Sequence, residues 1–449
     1  MLRASYTCDL FDPSPPSAVC FLTGQKPDLT QMRKRNAAES NRTRYRLRPA
    51  LWVLVSLTLV GGMLSSPRHL DSMEWQRRDI WGLDRPVISR AISSAVRDNQ
   101  YPRQITVTNQ DRRLPATVHY NFDPELQQSV TAVFDHYGPD YGMFVAVNPE
   151  NGDVLALVNH RRDSRPASNF ALHATYPSAS VFKLVTASAA IDLGKVDTTT
   201  VIPFNGKTTS LYRKNVLHHK NNQWTRKLPL TTSFAKSVNT VFGRLGLEHV
   251  GGKALIDYAS RFGFNQDLGG DFAVDRSQTR LDPENDWSVA ETASGYTSET
   301  TMSPVHGALL AASAINGGRL VQPSLIDAIT DENGIVLYAN DEPVSRRVIS
   351  EDTARQLRTM MADTVVHGTA RSFFKGFFNG NLSDIEVGGK TGTLSGTKPR
   401  GMYDWFVGYA SRGDRKLAYA VLCINQDFWY VKSTYVARKA IEHYFADQG

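Results

Sequence analysis

The sequence predicts an α/β (α+β) fold, in which a five-stranded antiparallel sheet is flanked by helices and accompanied by a mainly helical subdomain. Two observations predict it. Two strand-like runs, GMFVAVN and DVLALVN, lie before residue 160, and three more, EVGGKTGTL, DWFVGYAS and KLAYAVLCIN, lie after residue 385. The long stretch between these groups has helical patterns. If the early and the late runs pair in one sheet, and helices cover both faces of that sheet, all five runs are buried.

The first elements of this domain have clear start and turn signals. The segment DPELQQSVTAVFDHYG (123–138) predicts an amphipathic helix that begins behind an Asp123 cap. The segment PENGD joins the two early strand-like runs, and Asn151-Gly152 predicts a hairpin turn there. A helix that carries Ser180 follows.

The later elements are predicted from changes in composition. Residues 203–230 are polar and basic, and a helix-rich region continues to about residue 325. The segment DENGIVLYA predicts a short hairpin, and the three C-terminal strand-like runs follow it. A last helix is predicted over about 429–447.

The N-terminal part of the chain predicts a membrane anchor. Between Pro49 and Pro67 there is no charged residue, and these nineteen residues at about 1.5 Å each span roughly 28 Å, close to the hydrocarbon thickness of a bilayer. Seven basic residues and one acid lie between Arg33 and Arg48, so the positive-inside rule places the N-terminus in the cytoplasm and the rest of the chain outside. A cleaved signal peptide is the alternative, but we find no convincing small-x-small cleavage site.

Composition limits the domain organisation and the binding partners. The chain has 449 residues and a net charge of +7. The first 48 residues, with nine basic and four acidic side chains, carry most of this positive charge. The remainder is nearly neutral, which gives no case for nucleic-acid binding. We predict that translation begins at Met32, and we divide the chain into a basic cytoplasmic segment (1–48), the anchor (49–67), a tether or small pedestal (68–120) and a catalytic domain (121–449).

The three cysteines carry no functional signal. Cys8 and Cys20 lie in the N-terminal segment, and Cys423 lies in the apolar run LAYAVLCIN, where we expect a small core residue. Their spacing matches neither a metal site nor a disulfide framework, and no cofactor is predicted.

Three stretches match the pattern S-x-x-K, and they begin at Ser180, Ser233 and Ser372. On a helix, a lysine three residues after a serine shares its face, and its amine can take the proton of the hydroxyl. A helix with one surface lysine has the same pattern, so the motif needs partners to be informative. A serine acyl-transfer site also needs a second hydroxyl, an amide and a strand that lines the pocket.

Only Ser180 is followed by both partner motifs in order. Ser237-Val238-Asn239 lies 57 residues later in the helical pattern TTSFAKSVNTVFGRLG, and Lys390-Thr391-Gly392-Thr393 lies a further 153 residues on, in a Gly-rich strand-like run. Ser233 overlaps the second motif itself, and Ser372 has no S-x-N after it. Each partner motif alone would fit a core helix or a turn, but the ordered set indicates a catalytic site.

With these motifs, the chain from about residue 120 to 449 resembles the transpeptidase domain of penicillin-binding proteins, within the serine β-lactamase and D,D-transpeptidase superfamily. The surrounding segments SVNTVFGRLGLEHVGGKALIDYASRFGF, TTMSPVHGALLAASAINGGRLVQP and MMADTVVHGTA are also similar. Two departures are Pro177-Ser178, where the family often has Pro-Gly before the serine, and Val238 inside S-x-N. No glycosyltransferase domain precedes the anchor, so the resemblance implies a monofunctional, membrane-anchored enzyme.

The resemblance also implies the catalytic roles. Ser180 would attack the carbonyl of a D-alanyl-D-alanine stem peptide, or a β-lactam that mimics it. Lys183 would act as the base if burial and the positive charge of Lys390 lower its pKa. Ser237 would relay a proton to the leaving amine, and Asn239 would hold Lys183 and the substrate amide.

The same resemblance implies that Lys390 and Thr391 bind the substrate carboxylate. Gly392 would let the substrate lie close along the strand, where a side chain would collide with it. The backbone N–H groups of Ser180 and Thr393 would form the oxyanion hole. The implied partners are peptidoglycan stem peptides, β-lactam inhibitors, the membrane and a separate glycosyltransferase.

Other readings of the sequence remain open. A D,D-carboxypeptidase or a β-lactamase would hydrolyse the same acyl-enzyme, although no E-x-x-L-N-type stretch supplies a base for the water. A non-catalytic scaffold or sensor is the alternative outside this reaction class. The segments Asn205–Thr209 and Tyr338-Ala339-Asn340 and the residues His160, His306 and His367 are interpreted as structural. His218-His219 and a basic cluster are interpreted as a solvated loop, with contact to the glycan or the donor peptide as the alternative. The cluster consists of Arg213, Lys214, Lys220, Arg226 and Lys227.

Overall fold

The structure is a computed structural model, and it describes residues 83–109, 112–163 and 168–446. The predicted cytoplasmic segment, start site and anchor lie outside these residues. Within the described ranges, every helix is too short or too polar to span a bilayer. The helices and strands are, in chain order, α1 (Arg85–Arg97), β1 (Gln104–Asn109), β2 (Arg112–Tyr120), α2 (Pro124–Tyr137), β3 (Tyr141–Val147), β4 (Val154–Arg161), β5 (Tyr176–Pro177), α3 (Lys183–Asp192), α4 (Arg213–Leu217), α5 (Leu230–Ala235), α6 (Asn239–Arg244), α7 (Gly252–Arg261), β6 (Gln278–Thr279), α8 (Asp286–Ser294), β7 (Thr300–Met302), α9 (Pro304–Ile315), β8 (Arg319–Val321), β9 (Ile326–Thr330), β10 (Val336–Ala339), β11 (Ser345–Arg347), α10 (Glu351–Val366), α11 (Arg371–Phe374), β12 (Glu386–Thr397), β13 (Arg400–Arg412), β14 (Arg415–Asn425) and α12 (Ser433–Tyr444).

The central sheet has the strand order β12-β13-β14-β3-β4, and all of its neighbours are antiparallel. The two ends of the domain meet where β14 pairs with β3, with Val421 opposite Phe144. This arrangement confirms the predicted five-stranded sheet and the α/β fold class. The hairpin of β9 and β10 is also where the sequence predicted it.

Helices cover the sheet on both faces, so its strands alternate between two apolar clusters. Met143, Val145 and Val147 of β3 pack into the larger cluster, which includes residues of α3 and α9. Phe144 and Ala146 pack into the second cluster, which includes residues of α2 and α12. Because both faces of the sheet are buried, the sequences of β13 and β14 are nearly continuously apolar and do not alternate between apolar and polar residues. Cys423 is a buried core residue of the second cluster, as the sequence predicted.

The helix predicted behind Asp123 is confirmed. The Asp123 carboxylate accepts a hydrogen bond from the backbone N–H of Leu126 at 2.9 Å, and Gly138 ends α2 in the left-handed conformation. The apolar residues of α2 pack against β4 and α12 and so fix the second layer of the domain.

The described part of residues 68–120, which we predicted to be a tether or small pedestal, contains a helix and a hairpin. Strands β1 and β2 pair with each other, and β2 also pairs with β9, with Val118 opposite Ile329. The result is a four-stranded sheet of order β1-β2-β9-β10. Local periodicity could not predict this sheet, because the partner of β2 lies about two hundred residues later in the chain.

Candidate active site

Ser180 lies in a 3-10 turn, Ala179–Phe182, that leads directly into α3. Ala179 has φ +48°, a left-handed conformation that usually belongs to glycine. The buried indole N–H of Trp405 on β13 donates to the carbonyl of Pro177 at 2.9 Å, and so ties this turn to the sheet. The turn therefore holds the nucleophile in one strained, anchored position.

Lys183 is fully buried beneath Ser180. Its Nζ lies 2.7 Å from Ser180 Oγ and 2.8 Å from Asn239 Oδ1, and it also contacts the carbonyl oxygen of Ser294. Burial, and secondly the charge of Lys390, lower the pKa of Lys183 well below its ordinary value. A neutral amine has two N–H donors and one lone pair. Once this amine is neutral, Asn239 and Ser294 can accept its two hydrogens, and the lone pair is left for the Ser180 hydroxyl.

Asn239 is held in place by the backbone of a neighbouring segment. Its N–H donates to the Thr208 carbonyl and its Nδ2 donates to the Thr209 carbonyl, both at 2.8 Å. These bonds turn Oδ1 toward Lys183. The sequence analysis interpreted Asn205–Thr209 as structural, and two carbonyls of this segment hold the Asn239 amide.

The helical pattern around Ser237 predicted a helix at this residue, but Ser237 lies outside the helices. It sits between α5 and α6 with φ +54°, and Lys390 Nζ donates to its Oγ at 2.9 Å. Lys390 also donates to the Thr391 carbonyl at 2.9 Å, and burial lowers its pKa to about 7. The second hydroxyl and the second amine of the site are thus in contact.

The K-T-G motif lies on β12, which is an edge strand of the central sheet. Thr391 and Thr393 face the catalytic cleft, and Thr391 Oγ1 is 2.6 Å from Thr369 Oγ1. Gly392 faces the other way: a Cβ there would lie 3.1 Å from Val181 and 3.3 Å from Ala179. The tight packing of Gly392 against the turn of Ser180 is a second reason for glycine here, and the predicted close approach of substrate stays a prediction.

These residues surround a cleft of about 320 Å³. The sequence analysis did not assign nine of its lining residues to the site. Thr209 and Lys236 lie in motif matches that were interpreted otherwise, and the other seven lie outside the three catalytic motifs. The nine are Thr209, Lys236, Gly295, Tyr296, Thr369, Phe373, Asp404, Lys432 and Thr434.

Gly295 ends α8 directly against the turn of Ser180. Its φ is +65°, and a Cβ there would overlap the Ala179 carbonyl oxygen and lie 3.0 Å from Ser180 N. We therefore expect Gly295→Ala to displace the nucleophile and slow acylation by at least about a hundredfold, the scale of losing an oxyanion donor. Stopped-flow labelling with a fluorescent penicillin measures this rate.

Gly194 provides the matched control for this prediction. It also has φ +65°, but a Cβ there would have no atom within 4 Å. Gly194→Ala carries the same backbone strain without the collision, so its acylation rate should stay within about threefold of the wild type. Equal losses in the two variants would assign the effect to strain alone.

The serines of the other S-x-x-K matches, His306 and Asn340 do not line the cleft. Ser233 is buried in α5, and Ser372 lies on the exposed side of α11. His306 Nε2 is 2.7 Å from the Phe262 carbonyl, and Asn340 contacts Arg85 and Asp153. These contacts support the structural interpretation of both.

Comparison with known proteins identifies the same domain. Residues 142–442, about two thirds of the chain, match the family described as penicillin binding protein transpeptidase domain. Stage V sporulation protein D of Bacillus subtilis is 27% identical over 64% of this chain and 46% of its own length. Peptidoglycan D,D-transpeptidase PbpA of Mycobacterium tuberculosis is 26% identical over 69% of this chain and 67% of its own length. The chain thus spans about half the length of the first relative.

Solved structures agree with this assignment. A ceftriaxone acyl-enzyme complex of penicillin-binding protein A from M. tuberculosis matches with a TM-score of 0.59 and 25% identity, over 74% of this chain and 80% of that chain. The D,D-transpeptidase domain of a peptidoglycan glycosyltransferase from Eggerthella lenta has the same fold, with a TM-score of 0.61 and 20% identity over 78% and 97% of the two chains. With its ordered motifs assembled in one cleft, the chain belongs to the penicillin-binding protein transpeptidase domain family.

Proposed function

We propose that this protein is a peptidoglycan D,D-transpeptidase that cross-links stem peptides through an acyl-enzyme on Ser180 and is covalently inhibited by penicillin. The observation that carries the proposal is the buried amine of Lys183, whose Nζ lies 2.7 Å from Ser180 Oγ. The names of the mycobacterial relatives and the acyl-enzyme structures of penicillin-binding protein A support the same chemistry.

Acylation follows from this geometry. The stem-peptide carboxylate binds beside Lys390 and Thr391, which places the D-alanyl carbonyl over Ser180. Lys183 removes the hydroxyl proton as Ser180 Oγ forms the ester bond, and the backbone N–H groups of Ser180 and Thr393 stabilise the oxyanion. The C–N bond then breaks, and the terminal D-alanine leaves with a proton that is relayed by Ser237.

Release of the acyl group needs a second nucleophile. In transpeptidation, the amine of another stem peptide attacks the ester and loses a proton, and Ser180 regains one. Among the described residues that line the cleft, Asp404 is the only carboxylate, and its Oδ2 already accepts from Ser433 N and Oγ at 2.8 and 2.9 Å. This arrangement argues against a water activated by a separate carboxylate, which the β-lactamase alternative would need.

The proposal is tested with the full-length protein, a fluorescent penicillin and mass spectrometry. A long-lived adduct on Ser180, together with exchange of the terminal D-alanine of a peptide donor for an added amine, is the expected result. Rapid turnover of the drug without a trapped adduct would make the protein a β-lactamase. Failure to react at all would support a scaffold.

We also propose that residues 49–67 anchor the protein in the cell membrane, with the catalytic domain on its outer side. The nineteen uncharged residues and the basic residues before them support this orientation. The substrate strands would come from a separate glycosyltransferase. Protease treatment of intact spheroplasts should digest the catalytic domain, whereas a protected domain would contradict the orientation.

The pKa of Lys390 predicts how substrate affinity depends on pH. Below its pKa of about 7 the side chain is an ammonium that attracts the substrate carboxylate, and above it the charge is lost. The apparent dissociation constant for penicillin should therefore rise with pH, by about tenfold once Lys390 is neutral. Lys390→Arg stays charged throughout and should give a flat profile. If Lys390→Arg kept the same pH dependence as the wild type, the titration would belong to another group.

A further inference from the structure

A strongly basic segment borders the catalytic cleft. Residues 198–247 contain eight lysine and arginine side chains and no aspartate or glutamate. Seven of the eight are exposed, and none of the seven forms an ion pair with a carboxylate of the residues described by the structure. We call residues 201–236 the basic segment, and its exposed cations are Lys207, Arg213, Lys214, Lys220, Arg226, Lys227 and Lys236.

The basic segment is a folded unit and not a loose loop. Two backbone bridges close most of the segment into a loop, Val201 with Pro229 and Phe204 with Arg226. Within the segment, Asn205 Nδ2 donates to the Lys220 carbonyl at 3.0 Å, and Asn205 Oδ1 accepts from Thr225 Oγ1 at 2.8 Å. These contacts order the backbone that carries the cations.

The same segment is continuous with the catalytic site. Thr209 and Lys236 line the cleft, and the Thr208 and Thr209 carbonyls hold Asn239. Two large aromatic side chains of the segment are exposed, Trp224 by 75% and Tyr212 by 59%. Flat apolar rings among cations match a ligand that has both apolar and anionic parts.

We propose that the basic segment binds the uncross-linked peptidoglycan strand outside the reacting peptide terminus, through free carboxylates of neighbouring stem peptides. This inference rests on the proposed function, because it assumes that such a strand enters the cleft. A polymer repeats its carboxylates at intervals, so an array of like charges beside the cleft attracts it and raises its local concentration. The exposed indole of Trp224 would pack against a sugar ring.

A merely solvated surface would look different. Solvated faces usually intersperse both signs of charge, which keeps a protein soluble without a large field of one sign. Here the cations lie within a run of fifty residues that lacks any acid, and the run adjoins the cleft rather than a remote surface. Charge and position together favour a binding role.

The test reverses three of these charges in the full-length protein. Lys214, Lys220 and Lys227 are replaced by glutamate. The matched control replaces three exposed cations elsewhere, Arg90, Lys195 and Arg276, and so changes the net charge equally. Both sets are made in the wild type and with Ser180→Ala, so that binding is measured without turnover. The probe is uncross-linked peptidoglycan stripped of other wall polymers, and binding is measured by cosedimentation at low and high salt.

We expect the basic-segment variant to bind the strands about tenfold more weakly at low salt and to lose most of its salt dependence, while the control binds like the wild type. Trp224→Ala should weaken binding without changing its salt dependence. Equal binding by the two charge variants, or undiminished binding of the wild type to strands with amidated carboxylates, would overturn the inference.

Penicillin labelling separates this inference from the proposed function. Penicillin is small and needs only the cleft, so both charge variants should be labelled at Ser180 within about twofold of the wild-type rate. If the wild type is not labelled, the proposed function fails. If labelling is normal but binding does not depend on the basic segment, only the inference fails.

Discussion

Ser180→Ala is expected to abolish covalent labelling by penicillin. The variant lacks the oxygen that forms the ester, and the loss of a serine nucleophile from a cooperating site costs on the order of a millionfold in rate. Removal of one half-buried hydroxyl from the turn Ala179–Phe182 leaves the packing of the turn intact. Mass spectrometry of the intact protein after incubation with penicillin should show the unmodified mass alone.

The chain itself offers matched controls for this result. Ser233 and Ser372 also begin S-x-x-K matches, but neither lines the cleft. Ser233→Ala and Ser372→Ala should be labelled at rates close to that of the wild type. Labelling that persists in Ser180→Ala and disappears in one of the other two would move the nucleophile to that position.

The second large effect is expected for Lys183→Met. Methionine fills nearly the same buried volume but has no lone pair for the Ser180 proton, so acylation should slow by about a thousand- to ten-thousandfold. The carbonyl of Ser294 and Oδ1 of Asn239 would each lose a donor, which lowers stability by about 1–3 kcal/mol per group. Stopped-flow labelling measures the rate, and thermal unfolding measures the stability.

Lys375→Met is the control, because Lys375 completes the S-x-x-K match at Ser372 and is exposed. It should change neither the labelling rate nor the unfolding temperature. If Lys183→Met were labelled within tenfold of the wild-type rate while remaining folded, another group would have to be the base. Lys390 would then be the first candidate, because its amine contacts Ser237.

Much of this architecture could be predicted from the sequence, because it depends on strong local patterns. The apolar runs of β13 and β14, the Asp123 cap and the Asn151-Gly152 turn each act on residues close to them in the chain. The three motifs assemble as predicted: Lys183 contacts Ser180 and Asn239, and Lys390 contacts Ser237. The resemblance to a family supplied the order of these motifs, which composition alone could not.

The features that could not be predicted depend on backbone atoms and on distant partners. The carbonyls of Thr208, Thr209 and Ser294 position the catalytic amide and amine, but any residue type supplies a carbonyl. The left-handed conformation of Ser237 interrupts a stretch whose side chains are periodic for a helix. Thr369 meets Thr391 only after α10 has packed beside β12.

The pairing of β14 with β3 also affects when the protein becomes reactive during its synthesis. These strands bring together Phe144 and Val421, which are 277 residues apart in the chain. Gly392 of β12 and Trp405 of β13, two further late strands, contact the segment that carries Ser180. Such distant contacts form slowly and only once both segments exist. A nascent chain that has left the ribosome only as far as α10 carries Ser180 and Lys183 but has no strand to hold the turn. We therefore expect emerging chains to be inert toward antibiotics, with drug sensitivity acquired only at the end of translation.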